Sequence, residues 1–222
     1  MKPVGLLLAN PNTNRATTEV MLAVARDLAP DGVSIEGATA AFGESLITDE
    51  AALARAAEAV AMLVTPARAA GFDGVIVAAF GDPGLALLRD ALPVPVTGLA
   101  EAAMAEAAVQ GPFAVVTTTP GLTAAISLAA AAYGHGKDFL GVGLTEGDPR
   151  TLMADEARLV AALEEACRSV LRLGARAIMI GGGPLARAAR ALKPAVPVPI
   201  VEPIPAAVRL AAARAQARPL SR

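Results

Sequence analysis

The chain has 222 residues, 55% of them hydrophobic, 3% aromatic and 18% charged, with one Cys, one His and no Trp. Its 19 basic and 21 acidic residues leave a net charge of −2, without the clustered Lys and Arg that a nucleic-acid surface needs. One Cys excludes an internal disulfide, one Cys with one His excludes a His/Cys zinc site, and a Ser-His-Asp triad would have to use His135.

Mean hydropathy is high, at +0.52, but no apolar run approaches the roughly 18–20 residues that span a bilayer. The N-terminal run Val4–Ala9 breaks at Asn10-Pro11-Asn12. It is too short for a secretory core of about 7–15 residues and lacks a cleavage site. It reads as a first β-strand, and the expectation is a soluble, cytoplasmic protein with no membrane partner.

Further β-rich runs follow at Val33–Ala38, Val75–Ala79, Val94–Thr97, Phe113–Thr117, Phe139–Val142, Ala177–Ile180 and Val198–Val201. Several are continuously apolar, as strands buried on both faces are. Ala-rich helical stretches lie between them, the longest at Asp49–Ala70 and Asp155–Leu173. This alternation predicts parallel sheet with crossover helices, an α/β fold. Only Arg218–Arg222 reads as a frayed tail.

An internal repeat is visible. Pro93-Val94-Pro95-Val96 is echoed by Pro197-Val198-Pro199-Ile200, and Phe80-Gly81-Asp82-Pro83-Gly84 by Gly181-Gly182-Gly183-Pro184-Leu185. The halves divide near residue 110. Two half-barrels and two Rossmann-like lobes facing across a cleft both fit this pattern.

In parallel α/β sheets, ligands bind beyond the carboxyl ends of the strands. The loops there read Asn10-Pro11-Asn12-Thr13-Asn14, Ala79-Phe80-Gly81-Asp82-Pro83-Gly84, Thr117-Thr118-Thr119-Pro120-Gly121 and Gly181-Gly182-Gly183-Pro184. Each opens a helix, so cap and first-turn residues are expected on structural grounds alone. Together they also predict a site rich in neutral donors and poor in positive charge. Gly lets backbone N–H groups approach a ligand, and helix N-termini favour anions. A small carboxylate, an enolate or a cyclic amide suits such a site. No P-loop is present, and the glycines lack dinucleotide spacing.

Four of these segments resemble the aspartate/glutamate/hydantoin racemase superfamily, its hydantoin and allantoin racemase branch above all. They are Asn10-Pro11-Asn12-Thr13, Phe80-Gly81-Asp82-Pro83-Gly84-Leu85, Pro95-Val96-Thr97-Gly98-Leu99-Ala100-Glu101-Ala102 and the pair Thr117-Thr118. The resemblance covers nearly the whole chain in order. It implies two pseudo-symmetric Rossmann-like lobes with parallel sheets and a ligand site in the inter-lobe cleft. On it, lobe 1 is 1–97 plus 205–222 and lobe 2 is 98–204. It also implies no cofactor, no metal and a homo-oligomer. Its implied substrate-binding residues are Asn10, Phe80, Gly81, Thr117, Thr118, Gly182 and Gly183.

The resemblance also implies two cysteines, one on each side of the substrate carbon, that exchange its proton. Their positions here hold Ala79 and Gly182, neither of which carries a proton. The one Cys, Cys167, falls inside the helix Asp155–Leu173 and reads as a small buried residue. General acid–base work then falls to a carboxylate. Glu202 and Asp82 are the candidates, with Glu44 a more distant one. Asp82 also reads as a cap for the helix after Pro83, and Glu101 as a first-turn scaffold acid. His135, in Tyr133-Gly134-His135-Gly136-Lys137, reads as a surface turn. Ser45 and Thr48 resemble part of a loop that covers the substrate. The expected function is a diverged, cofactor-independent enzyme on the racemase scaffold. The alternatives are a catalytically inactive small-molecule binder and a purely structural homologue.

Overall fold

The computed structural model describes residues 3–182 and 185–218. Gly183, Pro184 and most of the expected frayed tail lie outside the described residues. Each apolar run forms a strand: β1 (Val4–Asn10), β2 (Val33–Thr39), β3 (Gly74–Val77), β4 (Val96–Gly98), β5 (Phe113–Thr117), β6 (Phe139–Leu144), β7 (Ala177–Ile180) and β8 (Ile200–Val201). They make two four-stranded sheets, ordered β2-β1-β3-β4 and β6-β5-β7-β8. Every pairing is parallel. The second sheet repeats the order of the first, and the strands do not close into one barrel.

The helices are α1 (Arg15–Asp27), α2 (Glu50–Leu63), α3 (Pro66–Ala69), α4 (Leu85–Ala91), α5 (Leu99–Ala108), α6 (Thr123–Ala132), α7 (Pro149–Met153), α8 (Glu156–Leu171), α9 (Ala186–Leu192) and α10 (Pro203–Ala217). The long stretch Asp49–Ala70 is thus two helices. Pro66 has no N–H and disfavours helix in the residue before it. Thr65 is extended and caps α3 by accepting from Arg68 N. Asn14, Asp49, Asp148 and Asp155 cap α1, α2, α7 and α8 in the same way.

The two sheets share a core. One apolar cluster joins Leu6, Leu8 and Ile76 of the first sheet to Phe113, Val115 and Met179 of the second. Helix α5 bridges them, packing on β4, β7, α6 and α10. Ala100, Ala103 and Ala107 on α5 and Ala207 on α10 are completely buried. Methyl-sized side chains let these helices approach closely, which is where much of the Ala content is used. Cys167 is fully buried on α8, and burial pushes its thiol up to about 11, so it is an inert packing residue. Among the described residues, no helix is long and apolar enough to cross a membrane, and no group of His, Cys, Asp or Glu is placed to hold a metal.

The segment between β2 and α2 crosses from the first half to the second. Thr13 N donates to Glu44 O at 3.1 Å, and Asp49 forms a parallel bridge with Gly121. A Cβ on Gly121 would lie 2.7 Å from the Thr48 carbonyl oxygen. Gly121→Ala is therefore expected to push this segment away at a cost of about 1–3 kcal/mol. Denaturant unfolding measures that cost, and limited proteolysis within residues 41–48 should be faster in the variant.

Candidate functional site

A cavity of about 60 Å³ lies at the carboxyl ends of the central strands of both sheets. Asn12 and Thr17 reach it from the β1 loop and α1. Ala78, Ala79 and Phe80 follow β3, Thr117 ends β5 with Thr118 and Thr119 just after it, and Gly181 and Gly182 follow β7. Met21, Leu46, Ile47, Leu122, Ile126, Met153 and Leu185 complete the wall. Neither Asp, Glu, His, Lys, Arg, Cys nor Tyr occurs among these lining residues.

The β1 loop is organised by Asn10, which is wholly buried. Its Nδ2 donates to Asn12 Oδ1 at 2.9 Å, Thr18 Oγ1 at 2.9 Å and Asn14 O at 3.2 Å. Asn12 Oδ1 also accepts from Asn14 N at 2.9 Å. Both of its lone pairs are then taken. Asn12 therefore offers the cavity its two amide hydrogens. Asn10 does not line the cavity; it fixes the residue that does.

On the opposite side, Thr117 Oγ1 donates to Gly181 O at 3.1 Å and tethers β5 to the β7 loop. Its hydroxyl also lies 3.0 Å from that of Thr119, which must then be the donor. Thr118 is buried against the cavity. Among the described residues, the N–H groups of Ala79, Phe80 and Thr118 find no backbone acceptor. They add neutral donors to the hydroxyls and the Asn12 amide.

Gly181 lets the halves meet, because a Cβ there would lie 3.1 Å from the Phe80 ring. Gly182 has φ +128°, a backbone that L side chains rarely adopt. The two positions assigned to cysteines by resemblance, Ala79 and Gly182, thus face one cavity. Of the other expected site residues, Phe80, Thr117 and Thr118 line it. Gly81, Asp82 and Glu202 do not, and Gly183 lies outside the described residues.

Asp82 is a cap, but for a different helix than the one after Pro83. Its carboxylate accepts from Ala100 N at 2.9 Å and Glu101 N at 2.8 Å, at the start of α5. Tyr133 Oη donates to it at 2.8 Å from the end of α6. Asp82 is the only described non-glycine residue with positive φ, at 49°. That turn aims its side chain across to α5, whose own cap residue is Gly98. A Cβ on Gly98 would lie 2.2 Å from the Asp82 carboxylate, so the acid occupies the room of a cap side chain. Burial pushes the Asp82 carboxyl up to about 6, against the pull of its three hydrogen bonds. Burial also pushes Glu101 up, but bonds and charge from Arg214 and Arg89 outweigh it and bring it down to about 2. Glu101 is a scaffold acid.

Glu202 is buried and paired with Arg190 Nε at 3.0 Å and with Lys193. It borders a separate water-sized cavity of about 10 Å³ that shares only Gly182 with the main one. Glu44 is exposed and pairs with Arg55 at 3.6 Å. His135 lies in the turn after α6, edge-on to Phe113 with centroids 6.0 Å apart. Leu46 and Ile47, between Ser45 and Thr48, are the residues of that loop that touch the cavity. The apolar wall was not foreseeable from sequence, because Met21, Ile126 and Met153 follow the same periodicity as core residues.

Comparison with known proteins gives one family. The Asp/Glu/Hydantoin racemase model matches residues 6–211. A hydantoin racemase from Paenarthrobacter aurescens is 26% identical over 211 residues, covering 93% of this chain and 89% of that one. The structure of allantoin racemase from Klebsiella pneumoniae superposes with a TM-score of 0.87 at 31% identity, covering 95% of this chain and 86% of that one. Allantoin racemase from Pseudomonas fluorescens gives 0.86 at 27% identity, with 98% of both chains covered.

Two outcomes follow from the Asp82 cap. Gly98→Ala forces the carboxylate from its place and is expected to cost about 2–4 kcal/mol, comparable to losing a cap and a charged hydrogen bond together; urea unfolding reads it. Asp82 binds its proton more tightly folded, at about 6, than its ordinary value of 3.8. Its contribution to stability is therefore fully present below that ordinary value and is lost as pH rises through about 6. The wild type should lose about 3 kcal/mol relative to Asp82→Asn across that window, at about 1.4 kcal/mol per pH unit.

Proposed function

The chain belongs to the Asp/Glu/hydantoin racemase family, and on that premise we propose that it binds a small neutral cyclic amide, of the hydantoin kind, without exchanging its proton. The observation that carries this reading is the cavity wall, in which no described residue is ionisable. Moving a proton at carbon needs a titratable group within hydrogen-bond reach. Ala79 and Gly182 supply none, Asp82 is engaged with α5 and Tyr133, and Glu202 is engaged with Arg190 and Lys193.

A neutral ligand suits the same wall. A carboxylate or zwitterion buried here would meet no opposite charge, and burying an unpaired charge is costly. A cyclic amide instead presents carbonyls to the Asn12 amide, the hydroxyls and the free N–H groups, and its ring N–H groups to hydroxyl or carbonyl oxygens. A substituent on its ring packs against Met21, Leu46, Ile126 and Leu185. The hydantoin and allantoin named for the relatives are cyclic ureides of this kind. Binding of this kind calls on no cofactor.

The test pairs two measurements. Hydantoins bearing small apolar 5-substituents are expected to raise the melting temperature by about 5–10 °C at a hundredfold excess over Kd. Proton NMR in D₂O should show the hydantoin 5-proton and the α-protons of aspartate and glutamate exchanging no faster than without protein. Accelerated exchange, or consumption of the ligand, would overturn the binding role in favour of a diverged enzyme.

A further inference from the structure

The residues that line the main cavity divide by burial. The polar ones, Asn12, Thr17, Thr117, Thr118 and Thr119, are all buried. Of the described lining residues, only Leu46, Ile47, Met153 and Gly182 are partly exposed. The donors therefore lie deep, and the side chains at the mouth are apolar. Both halves supply them. Leu46 and Ile47 come from the segment between β2 and α2, and Met153 ends α7. Ile47 also packs on the core shared by the two sheets, and Met153 on the second apolar cluster. Leu46 belongs to none of the described clusters, so its side chain has the cavity as its apolar neighbour.

In a hydantoin ring the amide atoms form one continuous edge, and the carbon bearing the substituent closes it. With that edge on the deep donors, the substituent points to the mouth. Its first carbons pass Met21 and Ile126, and what extends further meets Leu46 and Met153. We infer that Leu46 and Met153 are specificity-determining residues, which select a cyclic amide bearing a branched alkyl substituent and reject one bearing a ureido group. This rests on the cyclic-amide reading above and deepens it. Allantoin is 5-ureidohydantoin, and its ureido group has the same heavy-atom branching as the isobutyl group of 5-isobutylhydantoin. The two ligands differ there chiefly in polarity. The isobutyl group removes apolar surface from water against Leu46 and Met153. The ureido group would give up its hydration to side chains that offer no amide or hydroxyl partner.

Isothermal titration calorimetry of the full chain tests this, with racemic 5-methylhydantoin, 5-isobutylhydantoin and allantoin as probes. 5-Isobutylhydantoin is expected to bind about 30-fold more tightly than allantoin, the scale on which an apolar pocket discriminates. In Leu46→Gln and Met153→Gln that ratio should fall to about 3-fold, while 5-methylhydantoin, too short to reach the mouth, keeps its wild-type affinity. Leu46→Met should keep the wild-type ratio. Leu46 is partly exposed and outside the described clusters, so its replacement spares the fold; an unchanged urea midpoint checks this. Allantoin binding as tightly as 5-isobutylhydantoin would overturn the selectivity. An unchanged ratio in both Gln variants would overturn the assignment to Leu46 and Met153. In either case, binding of 5-methylhydantoin leaves the cyclic-amide reading standing. Binding of none of the three would overturn that reading and this proposal with it.

Discussion

The carboxylate of Asp82 ties together three parts of this molecule by hydrogen bonds. It ends the loop that lines the cavity from the first sheet, it caps the helix wedged between the sheets, and it accepts a hydrogen bond from Tyr133 at the end of α6. Three local features converge on it. Asp82 takes up a left-handed backbone, Gly98 leaves room by having no side chain, and Glu101 is neutralised from outside by Arg89 and Arg214. Without that neutralisation, two carboxylates would compete at one helix start. The loop geometry at Ala79 and Phe80 follows from this junction, because those residues immediately precede the anchored turn.

The cavity is consequently built from main chain as much as from side chains. Two sheets of the same strand order present the ends of β1, β3, β5 and β7 to each other, and each end contributes a turn with free or neutral donors. Asn10 and Thr117 play matching parts on the two sides. Each is buried, and each uses its side chain to fix a neighbouring loop. On the proposed reading, recognition by such a wall rests on hydrogen-bond pattern and shape rather than on charge.

Much of this was legible in the sequence, for identifiable reasons. Buried parallel strands are apolar on both faces, so the runs at Val4, Phe113 and Ala177 declared themselves, and the repeat of Pro-Val-Pro with its following helix declared the doubled architecture. The loops at strand ends located the cavity. Which residue of a loop faces inward was less legible. Asn10 and Asn12 differ by two positions and are the same residue type, and only the hydrogen-bond network distinguishes the anchor from the lining group. Asp82 showed the same limit. Its type announced a cap, but the helix it caps starts 17 residues later in the chain, and a contact of that separation leaves no local trace. Leu46, Ile47 and Met153 were hidden because an apolar residue facing a ligand cavity and one facing the core have the same periodicity.

The backbone at Gly182 has a historical consequence. A residue in a conformation reserved for glycine acts as a ratchet on sequence change. The position opposite it, Ala79, has ordinary backbone. At Gly182 a β-carbon is strained before its chemistry is considered. A side chain can be placed in this loop only after the turn itself has been rebuilt, so the two sides of the cavity differ in how freely substitution can reach them.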